Sequence, residues 1–329
     1  MNHILIIGLG SIGKRHLRNL IHLGEENITI VTTSENIPLE FNTFTTYTNT
    51  EKALKENIFS HAFICTPTSN HISDLNLVLK YNVPNIYLEK PVSHNLNNIE
   101  EVKGLLQNTK RIVVGYDLHF DPGLMKIKEL ICEGKLGKIF SINAVVGQYL
   151  PNWRPDQDYK KSMSAKIDKG GGVMLDLVHE FDYLRWLIGS PTMIACLFQN
   201  NPNLEIETED VADVLIQFEN SSTATIHLDY HQRELVRNCM ITCENGTLFW
   251  DLTKSEVKIV GYEKEIEIFS YDGFERNQRY VDGIQAFMEN INFDYRLTTF
   301  DEALVSLKMV IAAKASSINK QFILINKEI

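Results

Sequence analysis

The stretch HILIIGLGSIGKRHLRNLIHLG, residues 3–24, restricts the fold more than any other. A short apolar run ends in Gly8-Leu9-Gly10-Ser11-Ile12-Gly13 and opens a helical period that stops at Gly24. The G-x-G-x-x-G spacing is informative only between a strand and a helix, and that is where it stands. Gly8 permits the tight turn, Gly10 lets backbone N–H groups approach a pyrophosphate, and Gly13 lets helix and strand pack closely. The helix N-terminus adds partial positive charge beneath the phosphates. Ser11, Ile12 and Arg15 are assigned to the same dinucleotide, Arg15 as a partner for a 2′-phosphate.

The pattern that follows alternates. NITIVTT, HAFICTP, NIYLEKP and RIVVGYD read as short buried strands, with SDLNLVLKYN as an amphipathic helix among them. Strand–helix alternation implies a parallel, doubly wound sheet. Beyond about residue 135 strands follow strands, from GKIFSINAVVGQYL to EVKIVGYEKEIEIF, with ENGT and FENSST as hairpin turns. Helical patterns return in NQRYVDGIQAFMENI and FDEALVSLKMVIAAKASSI. The fold class predicted is α/β. Residues 1–120 form a Rossmann dinucleotide-binding domain. Residues 121–329 form an α+β substrate-binding and oligomerisation domain with a large, mostly antiparallel open sheet, its helix at about 122–133 free to pack on the first domain.

The formal charge of -10 and the lack of any Lys/Arg block argue against nucleic-acid or anionic-membrane partners. No run approaches the roughly 18 apolar residues of a membrane span, and the opening apolar run is too short for a signal peptide. The five cysteines form no C-x-x-C pair and read as reduced thiols of a cytoplasmic protein. No metal site is predicted: His227 and His231 share a strand-like stretch that offers too few ligands.

The carboxyl ends of parallel strands face the ligand crevice. At the second strand an acid would hold the ribose hydroxyls of NAD; Thr32, Thr33 and Ser34 stand there instead, with Glu35 one step late. The cofactor is therefore NAD or NADP, with the lean to NADP. Thr66, Pro67, Asn70 and His71 in CTPTSNH are assigned to the same cofactor, as are Glu89, Lys90 and Pro91 in YLEKPVSHN. Proline fixes the backbone after Lys90, and a lysine beside an oxidised nicotinamide would lose basicity and serve proton transfer.

Together the glycine loop at 8–13, Thr66-Pro67, EKP at 89–91 and the GG…D…H…D segment at 171–182 resemble the Gfo/Idh/MocA oxidoreductases. The resemblance covers nearly the whole chain with the motifs in order. It implies a two-domain enzyme, a nicotinamide-dependent dehydrogenase or reductase acting on CH–OH groups of sugars and cyclitols. It also implies a homodimer or homotetramer joined through the open sheet.

Residues 170–189, GGGVMLDLVHEFDYLRWLIG, read as one helix after three glycines. At 100° per residue Leu177, Val178, Phe181, Leu184 and Ile188 make one apolar stripe, while Asp176, His179 and Tyr183 share another side. The resemblance gives Lys90, Asp176 and His179 catalytic roles: His179 moves the hydroxyl proton, Lys90 stabilises the oxygen, and Asp176 orients His179 or holds a neighbouring hydroxyl. Many members space acid and histidine by four positions; here the gap is three. Ahead lies GQYLPNWRPDQDYKKSMSAKIDKGGG, with Tyr149, Trp153 and Tyr159 among Arg154, Lys160, Lys161 and Lys166. Aromatics pack sugar faces and cations bind phosphate or carboxylate. Tyr149, Trp153, Arg154, Lys166 and Tyr183 are assigned to the substrate, an anionic sugar such as a nucleotide sugar, sugar phosphate or acidic sugar. Two other readings are an NAD-dependent glycoside hydrolase of the same fold and a non-catalytic nicotinamide-nucleotide sensor.

Overall fold

The computed structural model describes residues 2–106, 111–289 and 294–325, and its chain divides into two compact units. The first holds the chain up to Asp117 together with Arg276–Leu304; the second holds Leu118–Glu275 and the chain from Val305 onward. The first is therefore discontinuous, whereas the sequence reading put everything after residue 120 in the second. Nothing local marks the return, because the helical period at 277–288 fits either core.

In the first unit β1 (Ile4–Ile7), β2 (Ile28–Val31), β3 (Thr45–Tyr47), β4 (His61–Ile64), β5 (Asn85–Glu89) and β6 (Arg111–Gly115) run parallel, with α1 (Ser11–His22), α2 (Thr50–Glu56), α3 (His71–Lys80) and α4 (Ile99–Leu105) between them. The sheet order 6-5-4-1-2-3 puts β1 at the centre, next to the strand where the order reverses. Its four residues are all buried, as a parallel strand covered on both faces requires. The core is partly aromatic. Phe63 stacks on Tyr87 with centroids 5.2 Å apart, and Phe287 meets Phe63 edge-on at 5.6 Å.

In the second unit α5 (Pro122–Cys132) leads into β7 (Ile139–Gly147). Asp121 caps α5 by accepting from the N–H groups of Gly123 and Leu124, and proline at the first helical position needs no partner. The helix packs on strands of the second unit itself. After α6 (Val173–Asp176) and α7 (His179–Ile188) come β8 (Pro191–Gln199), β9 (Val211–Phe218), β10 (Thr223–Asp229), β11 (Val236–Cys243), β12 (Gly246–Asp251), β13 (Glu256–Gly261) and β14 (Ile266–Ser270). Then α8 (Arg276–Met288) and β15 (Thr298–Thr299) rejoin the first unit, β15 antiparallel to β6. Finally α9 (Phe300–Asn319) carries the chain back, and β16 (Ile323–Leu324) pairs with β8.

Among the described residues the second sheet has nine strands in the order 14-13-12-11-7-10-9-8-16, antiparallel throughout except for β7 beside β10. One face is exposed. Register sets Leu215, Thr225, Asn143, Met240, Phe249 and Lys258 in a row across it, while the alternate residues are buried.

Candidate active site

The glycine loop fits a dinucleotide. Gly8 has φ +93°, and a Cβ there would meet the Cys65 carbonyl oxygen at 2.8 Å. At Gly13 a Cβ would sit 2.0 Å from the carbonyl oxygen of Gly8. Around Gly10 nothing lies within 4 Å, so the start of α1 is open to a phosphate, and no acidic residue stands in its first turn. Ser11 is exposed and Ile12 half-buried beside it.

At the end of β2 Thr32 is buried and its hydroxyl accepts from the Ser34 N–H at 3.1 Å. Thr33, Ser34 and Glu35 are exposed. Arg15 differs from expectation: its guanidinium lies 4.4 Å from the centroid of Tyr280, a residue brought in by α8. That partner is 265 positions away, beyond the reach of a local pattern.

After β4, Thr66 donates to Asp74 at 2.6 Å, and burial raises the Asp74 carboxyl above its ordinary range. Pro67 and Asn70 are exposed, and the Asn70 side chain makes no helix-capping bond. His71 is enclosed rather than open at the surface. It is 1% exposed, with Nδ1 2.7 Å from the Pro91 carbonyl oxygen and Nε2 2.9 Å from that of Thr66. Glu89, at the end of β5, is buried against His16 of α1, Oε1 to Nε2 2.5 Å. His16 was absent from the sequence assignment, although it stands three residues past Gly13 on the loop's own helix. Lys90 is half-buried and joined to Pro91 by a cis peptide bond.

In the second unit the helix predicted across 170–189 is two helices. At Leu177 φ -101° and ψ 32° leave the helical region, and α7 starts at His179. Neither glycine nor proline marks the break, so a constant 100° per residue misplaces Asp176 relative to His179. Gly172, at φ +114°, passes so close to Glu209 that a Cβ would meet its carboxylate at 2.3 Å. Lys314 holds that carboxylate at 2.9 Å, which fixes the backbone entering α6.

Asp176 is half-buried at the end of α6 and accepts from the Tyr230 hydroxyl at 2.7 Å. Tyr230 is buried, which drives its pKa well up, and Trp153 meets its ring edge-on at 5.3 Å. The structure thus joins Trp153 to Asp176 through a tyrosine that the sequence reading did not select. The signal was available only as a tyrosine just past a strand end. His179 is buried at the first position of α7. Tyr183 is 0% exposed and packs 5.8 Å from Trp250, so it belongs to the core rather than to the substrate set.

Asp182 is also structural. Its carboxylate meets His119 at 2.8 Å, accepts from Ser306 at 2.9 Å and lies 3.3 Å from Arg185. Glu180 forms a two-bond pair with Arg237 at 2.9 and 3.0 Å.

The basic run before α6 is not an unpaired cationic patch. Lys160 pairs with Glu205 at 2.8 Å, Lys161 with Asp158 at 3.7 Å and Lys166 with Glu207. Arg154 is exposed, and Tyr149 lies under the guanidinium of Arg233 at 3.9 Å. The partners Glu205 and Glu207 come from the segment between β8 and β9, about 40 residues away in sequence. Among the described residues no helix is long and apolar enough to cross a membrane.

Residues 2–116 match a family described as an oxidoreductase family with an NAD-binding Rossmann fold, and residues 124–249 match the GFO/IDH/MocA C-terminal domain. An uncharacterized oxidoreductase, YrbE, of Bacillus subtilis is 23% identical over 283 residues, 82% of this chain and 71% of its own. The myo-inositol 2-dehydrogenase of Thermotoga maritima is 24% identical over 194 residues, 56% of this chain, which spans only 54% of that relative. The solved scyllo-inositol dehydrogenase of Lactobacillus casei, with bound NAD(H) and scyllo-inositol, has the same fold. Its TM-score is 0.79 at 20% identity, over 98% of this chain and 99% of that one.

Proposed function

We propose that this chain, which belongs to the GFO/IDH/MocA family of NAD-binding oxidoreductases, is a dehydrogenase of a cyclic polyol or sugar. The observation that carries the reading is the glycine loop, closed to side chains at Gly8 and Gly13 and open at Gly10. The loop and α1 would hold the pyrophosphate, and the ends of β2, β4 and β5 the rest of the dinucleotide. When bound, the nicotinamide accepts or returns a hydride.

The chain's own residues do the remainder. His179 removes or returns the hydroxyl proton, and Lys90 stabilises negative charge as it develops on oxygen. Asp176, fixed by Tyr230, accepts from a neighbouring substrate hydroxyl while Trp153 offers an apolar edge. Carboxylate and aromatic side by side suit a polyhydroxylated ring.

The paired lysines favour a neutral substrate over the anionic sugar read from sequence, since three of the five cations in that segment already face carboxylates. The anionic reading then rests on Arg154 and Lys169, both exposed. A panel following reduced-cofactor absorbance decides between them. Inositol-type cyclitols and neutral sugars are expected to show at least about tenfold higher kcat/KM than sugar phosphates or nucleotide sugars, a difference of about 1.4 kcal/mol. The reverse order restores the anionic substrate. Release of a free sugar from a glycoside with no net change in cofactor identifies the hydrolase instead, and binding without turnover of any member identifies the sensor.

Cofactor choice follows the end of β2. Thr33 and Ser34 present hydroxyls there, with the Glu35 carboxylate one step beyond, which admits a 2′-phosphate, so NADP is accepted in preference to NAD. Thr33→Asp is expected to lower kcat/KM for NADP+ at least about tenfold with little loss for NAD+. Equal loss with both cofactors would remove this position from the discrimination.

The exposed row across the second sheet, with Leu215 and Phe249 in it, supports self-association through that face.

A further inference from the structure

We propose that His71 is a positioning residue for Lys90, acting through the carbonyl group of Pro91 rather than through the cofactor. The inference rests on the reading of Lys90 as a catalytic group. Three observations carry it. First, the ring is enclosed by the first unit, 1% exposed, and both its nitrogens lie at hydrogen-bond distance from main-chain carbonyl oxygens, 2.7 Å at Pro91 and 2.9 Å at Thr66. A carbonyl oxygen only accepts; the neutral ring has one N–H, which the shorter contact places on Nδ1 toward Pro91, and both contacts are hydrogen bonds only when the ring is protonated. Second, those two carbonyls belong to different loops, one after β4 and one after β5. One side chain therefore stands between the Lys90-Pro91 backbone and the Thr66-Pro67 backbone, within hydrogen-bond distance of both. Third, the residue on the other side of Lys90 is tied as well, since the Glu89 carboxylate is held by His16 of α1. Lys90 thus stands between two neighbours that are each fixed by a buried histidine.

The physical need is clear from the side chain itself. A lysine has a flexible four-carbon stem with wide rotamer freedom, so its ammonium is placed well only if its backbone is placed well. Misplacement by about 1 Å costs on the order of a hundredfold in rate. Burial pulls the His71 pKa below the ordinary imidazole value, while the two carbonyls and the charges of Glu89 and Asp74 favour the protonated ring. The Pro91 contact is the shorter and the one adjoining Lys90, so it is the one that matters to catalysis.

The two nitrogens can be tested separately. In Asn the amide nitrogen sits where Nδ1 does; in Gln it reaches the place of Nε2. His71→Asn is expected to keep the Pro91 bond and to retain kcat within about fivefold. His71→Gln keeps only the Thr66 bond and is expected to lose about 10- to 100-fold in kcat, with substrate KM within about threefold. Cofactor affinity, measured by quenching of tryptophan fluorescence, should stay within about threefold in both variants, and melting temperature reports folding. Equal loss in Asn and Gln, or full activity in both, overturns the positioning role. Weakened cofactor binding with unchanged kcat also overturns it and returns His71 to the cofactor. Lys90→Ala, run alongside, separates the two levels of argument: full activity in that variant removes the premise, while its inactivity with full activity in both His71 variants removes only the inference.

Discussion

Lys90→Ala and His179→Ala are each expected to lose at least about a hundredfold in turnover while holding the nicotinamide cofactor with near-normal affinity. A hundredfold corresponds to about 2.7 kcal/mol of lost transition-state stabilisation. General acid–base catalysis alone typically contributes 10²–10⁴-fold, and a preorganised cation near a developing alkoxide adds to it. In this reading one side chain moves the hydroxyl proton and the other stabilises the developing charge. Groups that act as a unit are not additive when removed. The double variant should therefore be far less impaired than the product of the two single losses. Steady-state rates of the three variants against the parent, with cofactor affinity measured independently, check this. Near-normal turnover in either single variant removes that residue from the chemistry, and strictly multiplicative losses place the two in separate steps.

The second large effect concerns stability. Asp182 is 1% exposed and is shared by His119, Ser306 and Arg185. Burial by itself would raise its carboxyl, but the attraction of His119, then Arg185, and the hydroxyl of Ser306 hold it below the ordinary carboxylate range. Asp182→Asn leaves His119 and Arg185 facing an amide in the interior. Breaking a buried pair in this way costs roughly 3–5 kcal/mol, which for a domain of this size lowers the melting temperature by roughly 6–20 °C. The sign with pH follows from the depressed carboxyl. Its contribution is fully present above the unfolded value near 3.9 and is lost as pH falls through the lower folded value. The parent should therefore lose stability below about pH 4, and the Asn variant should lose less over the same window. Calorimetry at pH 7 and through that acid range measures both; an unchanged melting temperature at pH 7 would mean that the cluster is not carrying charge.

Much of the fold was legible because its signals are local. The strand–glycine–helix opening, the alternation to residue 117 and the later run of strands each depend on neighbours within a few positions. The same holds for the loops at 66–67 and 89–91. What was hidden depends on partners far along the chain. Tyr230 meets Asp176 across 54 positions, and Arg15 meets Tyr280 across 265. The lysines at 160 and 166 look like an anion site until Glu205 and Glu207 are folded against them. His71 resembles a loop ligand until both its nitrogens are found facing main-chain carbonyls. The break between α6 and α7 is another kind of miss: the residues there are ordinary helix formers, and a wheel drawn through them has no reason to stop.

The return of α8 to the first unit has a consequence for how the molecule is made. Ile284 and Phe287 belong to the same buried cluster as Ile4, Phe63 and Tyr87, within the dinucleotide-binding half. A nascent chain emerges N-terminus first, at roughly 5–20 residues per second. The strands β1 to β6 must therefore wait with an unfilled core until the chain has been translated through Phe287.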